Sequence, residues 1–79
     1  MTSKTPQEHL EWCIKRAMEY FNDGDANGAT TSFISDVRKH EGTARIADPG
    51  MAMMTMAILN EAAPKSAKDF EEAMRGFAV

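Results

Sequence analysis

Tyr20-Phe21-Asn22-Asp23-Gly24-Asp25, followed by Ala29 and Phe33, is the stretch from which the fold is read. Two aromatic residues give way to a glycine flanked by aspartates. Glycine enters the left-handed backbone region without steric penalty, so Gly24 suits the stop of a helix. Asp25 suits the N-cap of the next one. The stretch therefore reads as a tight reversal between two antiparallel helices. That placement decides which side chains upstream of Tyr20 and downstream of Phe33 can meet.

Upstream, Thr5-Pro6-Gln7-Glu8 is a strong helix start, with a capping threonine, a proline at the first helical position and a glutamate that completes a capping box. Leu10, Cys13, Ile14, Ala17 and Phe21 then share one face at 100° per residue, which predicts a helix over 6–22. Downstream, Ala26, Ala29, Phe33 and Val37 line a second helix predicted over 26–40, with Thr30 and Ile34 at its edge. Lys39 and His40 suit its C-terminus, and Gly42 is read as its stop. Asp48-Pro49 opens a third helix over 49–62, which Pro64 ends. Ser66-Ala67-Lys68-Asp69 starts a fourth over 67–75, with Phe70, Ala73, Met74 and Phe77 as its apolar face and Gly76 as its stop. No segment alternates like a strand. The expected class is all-α: one small three- to four-helix domain, residues 1–79, built on the antiparallel hairpin.

Size narrows the options. The chain has 79 residues. A chain this short buries only about 60% of its unfolded surface. Its single cysteine, Cys13, excludes an internal disulfide. Good packing, a metal or a second subunit must then supply the remaining stability. The formal net charge is −3, from nine Lys/Arg and twelve Asp/Glu. No basic block is present, which argues against nucleic acid as a partner. The longest apolar stretch, residues 51–59, is too short to span a membrane. Met1-Thr2-Ser3-Lys4 has no apolar h-region, and with one thiol this points to the cytoplasm.

Four constellations bear on chemistry. Asp23-Gly24-Asp25-Ala26-Asn27-Gly28 imitates the start of a calcium loop. Thr30 and Ile34 then stand where a branched apolar residue and a bidentate glutamate are required, so turn chemistry is the expectation. His9 and Cys13 on the first helix face Asp36 and His40 on the second, each pair four residues apart. The tetrad is an alternative zinc site, set against a buried thiol and partly solvated histidines. The same residues suggest cysteine-based catalysis, which needs a pocket and an oxyanion site that so short a chain rarely builds. Neither an enzyme nor a cofactor is expected.

The remaining two constellations concern binding. Trp12 falls on the polar side of its helix, among Glu8, Lys15, Arg16 and Glu19. Either a later helix covers it, or it joins Arg16 at an interface, where both residue types are enriched. Met51, Met53, Met54, Met56, Ile58 and Leu59 surround the third helix, whereas an ordinary amphipathic helix has one apolar stripe. Met53 and Met56 are therefore placed at a self-association seam. In a competing reading, several copies form pockets for a small signalling nucleotide. His9, Trp12, Arg16, Lys39, His40 and Arg45 would then supply stacking and phosphate contacts.

Tyr20, Gly24, Asp25, Ala29 and Phe33 together resemble a single tetratricopeptide-type helical hairpin, in which glycine-aspartate makes the turn and alanine admits close helix approach. Arg16 departs from that pattern, which has an apolar residue there, and so does Glu41, where proline is common. A broader set of residues, Glu8-His9-Leu10-Glu11-Trp12-Cys13, Gly24-Asp25, Ser35-Asp36 and Lys39-His40-Glu41-Gly42-Thr43, looks like a group of short phage-encoded proteins. The tail, Met74-Arg75-Gly76-Phe77, is similar to theirs but imperfectly so. This resemblance implies a viral accessory protein in a bacterial host, one that binds and blocks a host protein. The sequence thus leads to a non-catalytic, self-associating binding protein. Trp12, Arg16, Met53 and Met56 are its expected contact residues.

Overall fold

A computed structural model describes residues 5–77 of the chain. The Met1-Thr2-Ser3-Lys4 segment lies outside the described residues. The order of elements is α1 (Pro6–Asn22), α2 (Ala26–Val37), α3 (Glu41–Ala44), a 3₁₀ turn (Arg45–Ala47), α4 (Pro49–Ala62) and α5 (Ala67–Arg75). The class is all-α.

α1 opens on a complete capping box. The Glu8 amide donates to Thr5 Oγ1 at 3.1 Å, and the Thr5 amide donates to Glu8 Oε1 at 3.0 Å. The helix ends in a left-handed stop at Gly24, with φ of +86°. There the Asp25 amide reaches back to the Tyr20 carbonyl, and the Gly24 amide to that of Phe21, both at 3.0 Å. This pair of bonds satisfies carbonyls that a helix end otherwise leaves orphaned. Asp25 then caps α2, its Oδ1 accepting the Gly28 amide at 2.8 Å. The chain reverses, and α1 and α2 pack side by side along most of their length.

α2 stops at Val37, three residues before the predicted end. Its last carbonyls have side-chain partners. His9 Nε2 lies 2.7 Å from the Asp36 carbonyl, and Thr43 Oγ1 donates to the Val37 carbonyl at 2.6 Å. His40 is not part of the helix. It has an extended backbone and caps α3, its Nδ1 accepting the Gly42 amide at 2.9 Å. Gly42 accordingly belongs to the start of α3 rather than to the stop of α2. α3 and the 3₁₀ turn fill a stretch to which the sequence assigned no element. Asp48 stands at the N-cap of α4 but makes no side-chain cap bond, unlike Ser66, which caps α5 by accepting the Asp69 amide at 3.0 Å.

The core joins Leu10, Cys13, Ile14 and Ala17 of α1 to Ala29, Phe33 and Val37 of α2. Ile46, Ala47, Leu59, Phe70 and Met74 close it from the other elements. Phe21 stacks on Phe70 with ring centroids 4.7 Å apart, tying the end of α1 to α5. Outside the core, Arg75 of α5 bridges Glu71, at 2.8 Å, and Glu11 of α1. No helix among the described residues is long and apolar enough to cross a membrane.

Candidate functional site

Two surface features stand out, one on the α1–α2 hairpin and one on α4. The first is assembled around Asp36. This aspartate lies near the end of α2 and is only 2% exposed. A buried carboxylate requires partners, because removing it from water is costly. It has three. Arg16 Nε donates to Oδ2 at 2.8 Å, Lys39 Nζ to Oδ1 at 3.1 Å, and Ser32 Oγ to Oδ2 at 3.3 Å. The hydrogen bond from Arg16 to Asp36, together with the charge of Asp36, raises the guanidinium above its ordinary pKa. Arg16 and Lys39 remain half exposed, and both sit over Trp12: the guanidinium carbon of Arg16 is 5.0 Å from the ring centroid and Lys39 Nζ is 5.9 Å away.

Trp12 is half-buried and packs against the core. It stacks on His9 at 5.3 Å, and His9 stacks in turn on His40 at 5.1 Å. The bond from His9 to the Asp36 carbonyl fixes the middle ring of this column. A carbonyl only accepts, so Nε2 of His9 carries the proton. The sequence offered two covers for Trp12, a later helix or a partner. The structure instead places Arg16, His9 and Lys39 of the hairpin itself around the ring.

Five of the six residues named for a nucleotide, His9, Trp12, Arg16, Lys39 and His40, come together in this way. The sixth, Arg45, is exposed on the 3₁₀ turn. The zinc tetrad does not form a ligand set. Cys13 is fully buried in the core, His9 and His40 spend the ring nitrogens described above on main-chain partners, and the Asp36 carboxylate faces two cations. No group of three or more His, Cys, Asp or Glu among the described residues is arranged to hold a metal ion. The partial calcium-loop pattern is likewise absorbed, because Asp25 is the cap of α2.

Below this column a cleft of about 330 Å³ runs between α1 and α2, lined on one side by Arg16 and Tyr20 and on the other by Gly28, Thr31, Ser32, Ser35, Lys39 and the edge of Asp36. A smaller hollow of about 190 Å³ continues from it past Arg16 and Tyr20 toward Glu19 and Asp23. Sequence reasoning named Arg16 and Lys39 but missed the hydroxyl wall. Ser35 lies three residues from Ser32 and four from Thr31, the spacings that bring side chains together on one helical face.

The second feature is the outward face of α4. Thr55 and Leu59 are fully buried and Ala62 nearly so, with Ala52 half-buried above them. The Thr55 hydroxyl donates to the Ile46 carbonyl at 2.9 Å and fixes the rotation of the helix. This inward stripe consists mostly of small residues. Apart from Leu59, the large apolar side chains point away from the core: Met51, Met53, Met54, Met56 and Ile58 are all exposed, Met53 to 81% and Met54 to 56%. The helix is apolar all round, as its sequence predicts, and has its bulk on the solvent side.

Comparison with family models, with curated proteins and with solved structures finds no match to this chain.

Proposed function

We propose that this protein is a non-catalytic binding protein that self-associates through the outward face of α4. One observation carries the reading: five of the six large apolar side chains of α4 face solvent, and Leu59 alone joins Thr55 and Ala62 against the core. The exposed parts of Met51, Met53, Met54, Met56 and Ile58 amount to roughly 500 Å², the size of the largest patch on an ordinary monomer. Two such faces brought together bury at most about 1,000 Å², the lower limit for a specific interface. From residue 49 to residue 60 the helix carries no charged side chain. Its partner face must be equally uncharged, and a second copy of α4 meets that requirement in an isologous pair. Methionine suits such a seam because its flexible chain fills irregular gaps.

The tetratricopeptide-like hairpin is then the rigid frame of each protomer, and its Trp12–Arg16 edge stays available to a further partner. The resemblance to short phage-encoded proteins supports a host protein in that role, blocked by occupation of its surface. Light scattering coupled to size exclusion tests the self-association. A dimer or larger assembly is expected at high micromolar concentration, with a monomer from Met53→Glu combined with Met56→Glu and the helical signal unchanged. A wild-type chain that stays monomeric throughout would overturn the proposal.

A further inference from the structure

We infer that the cleft between Arg16 and Lys39 is a binding site for a phosphate-bearing ligand, recognised by charge and hydroxyl donors rather than by ring stacking. The argument starts from the imbalance at Asp36. One buried carboxylate holds two cations, so the cluster has an excess positive charge at the rim of the cleft. Arginine has five N–H donors and a protonated lysine three. Asp36 takes one from each, and the terminal nitrogens of Arg16 make no other hydrogen bond among the described residues. Both cations are thus held in place by a buried anchor while most of their donors face outward. Ordering two long side chains before a ligand arrives removes much of the entropic penalty of binding.

The opposite wall selects among anions. Ser32 is half-buried, Thr31 and Ser35 are exposed, and all three line the same cleft as the two cations. A carboxylate has two oxygens and is satisfied by the guanidinium fork alone. A phosphate monoester has three terminal oxygens, enough to accept from the fork, the ammonium and a hydroxyl together. The volume of about 330 Å³ lies at the small end of ligand pockets. Glu19 and Asp23 border the adjoining hollow and repel an anion, so the phosphate is held at the Lys39 end.

Trp12 excludes a role for base stacking at this place. His9 stacks on its ring, and Arg16 and Lys39 cover it. A nucleobase would have to displace these groups. This inference is independent of the α4 seam.

The test is a titration of the isotope-labelled chain followed by nuclear magnetic resonance. Four probes are used: inorganic phosphate, phosphoserine, acetate and adenosine, each against chloride at matched ionic strength. Phosphate and phosphoserine are expected to shift the Arg16 side-chain Nε–H signal and the Ser32, Ser35 and Lys39 amides in a saturable manner at millimolar concentration. Acetate is expected to be weaker and adenosine to be without effect. Lys39→Gln, at an exposed position, is expected to weaken phosphate binding about tenfold. Arg16→Lys, which keeps the charge and loses the fork, is expected to weaken it as well. Shifts no larger than those with chloride, acetate equal to phosphate, adenosine binding at the same residues, or undiminished binding by Lys39→Gln would each overturn the assignment.

Discussion

The ring of Pro6 fills the space in which any residue other than glycine at position 42 would carry its β-carbon. A Cβ built on Gly42 falls 2.6 Å from Pro6 Cβ, closer than side chains approach. The start of α1 and the start of α3 thus touch through a proline and a glycine. This contact holds the His40 cap beside His9 and closes the ring column. Gly42→Ala must push the two elements apart. A loss of about 1–3 kcal/mol is expected, the usual range for overpacking. Urea denaturation checks it. Because Gly42 has no left-handed backbone, the loss is one of space rather than of backbone strain, and Gly42→Ser is expected to cost at least as much.

The second expectation concerns Asp36. Replacing it with asparagine keeps its shape and removes the charge that gathers Arg16, Lys39 and Ser32. Both cations are half exposed and regain water, so the loss is smaller than for a fully buried pair. About 1–3 kcal/mol is expected from chemical denaturation. The packing of the hairpin is expected to survive, with unchanged far-ultraviolet circular dichroism. A stability equal to wild type would show that the carboxylate contributes nothing net to folding.

Much of this architecture is written in local signals. Thr5-Pro6-Gln7-Glu8, Gly24-Asp25 and Ser66-Ala67-Lys68-Asp69 act through bonds spanning at most five residues, so a linear reading finds them. The end of α2 is different. It is set by His9 and Thr43, which reach the Asp36 and Val37 carbonyls from 27 and six residues away. Histidine is also an uncommon N-cap, and the role of His40 was hidden behind its suitability for a helix C-terminus. The residues of the candidate site were visible as types: Trp12, Arg16, Lys39 and the two histidines were singled out. The antiparallel register also places His9 opposite His40, and the two rings do stack. The grouping of Arg16 and Lys39 over Trp12 is not legible, because it depends on which face of α2 turns toward α1. The sequence offers Asp36 only as one ligand of an alternative zinc site. Its actual role as an anchor for two cations follows from a burial that charge alone argues against.

The third expectation tests the orientation of α4. Leu59 is fully buried and Met53 is 81% exposed, although both are large apolar residues of one helix. Leu59→Ala is expected to destabilise the protomer by about 2–5 kcal/mol. Met53→Ala is expected to change it by about 0.5 kcal/mol or less, when measured at a concentration low enough to exclude association. At high concentration the order of effects on assembly reverses, with Met53→Ala weakening it. Equal destabilisation by the two changes in the dilute protomer would place Met53 in the core and remove the basis for the α4 seam.

The last expectation separates two threonines that are alike in burial and opposite in bonding. Thr43 is fully buried, and its hydroxyl donates to the Val37 carbonyl at 2.6 Å. Thr30 is also buried, but its hydroxyl has no hydrogen-bond partner among the described residues. Valine has nearly the shape of threonine and lacks the hydroxyl. Thr43→Val therefore leaves a main-chain carbonyl at the end of α2 without its buried donor, and a loss of about 1–3 kcal/mol is expected. Thr30→Val removes a group that lost its water on folding and gained nothing in return. That change is expected to be neutral or to raise the melting temperature. Thermal unfolding of the two variants side by side checks the contrast. A large loss from Thr30→Val would mean that its hydroxyl is bonded in solution, and that the face of α2 around it is packed differently.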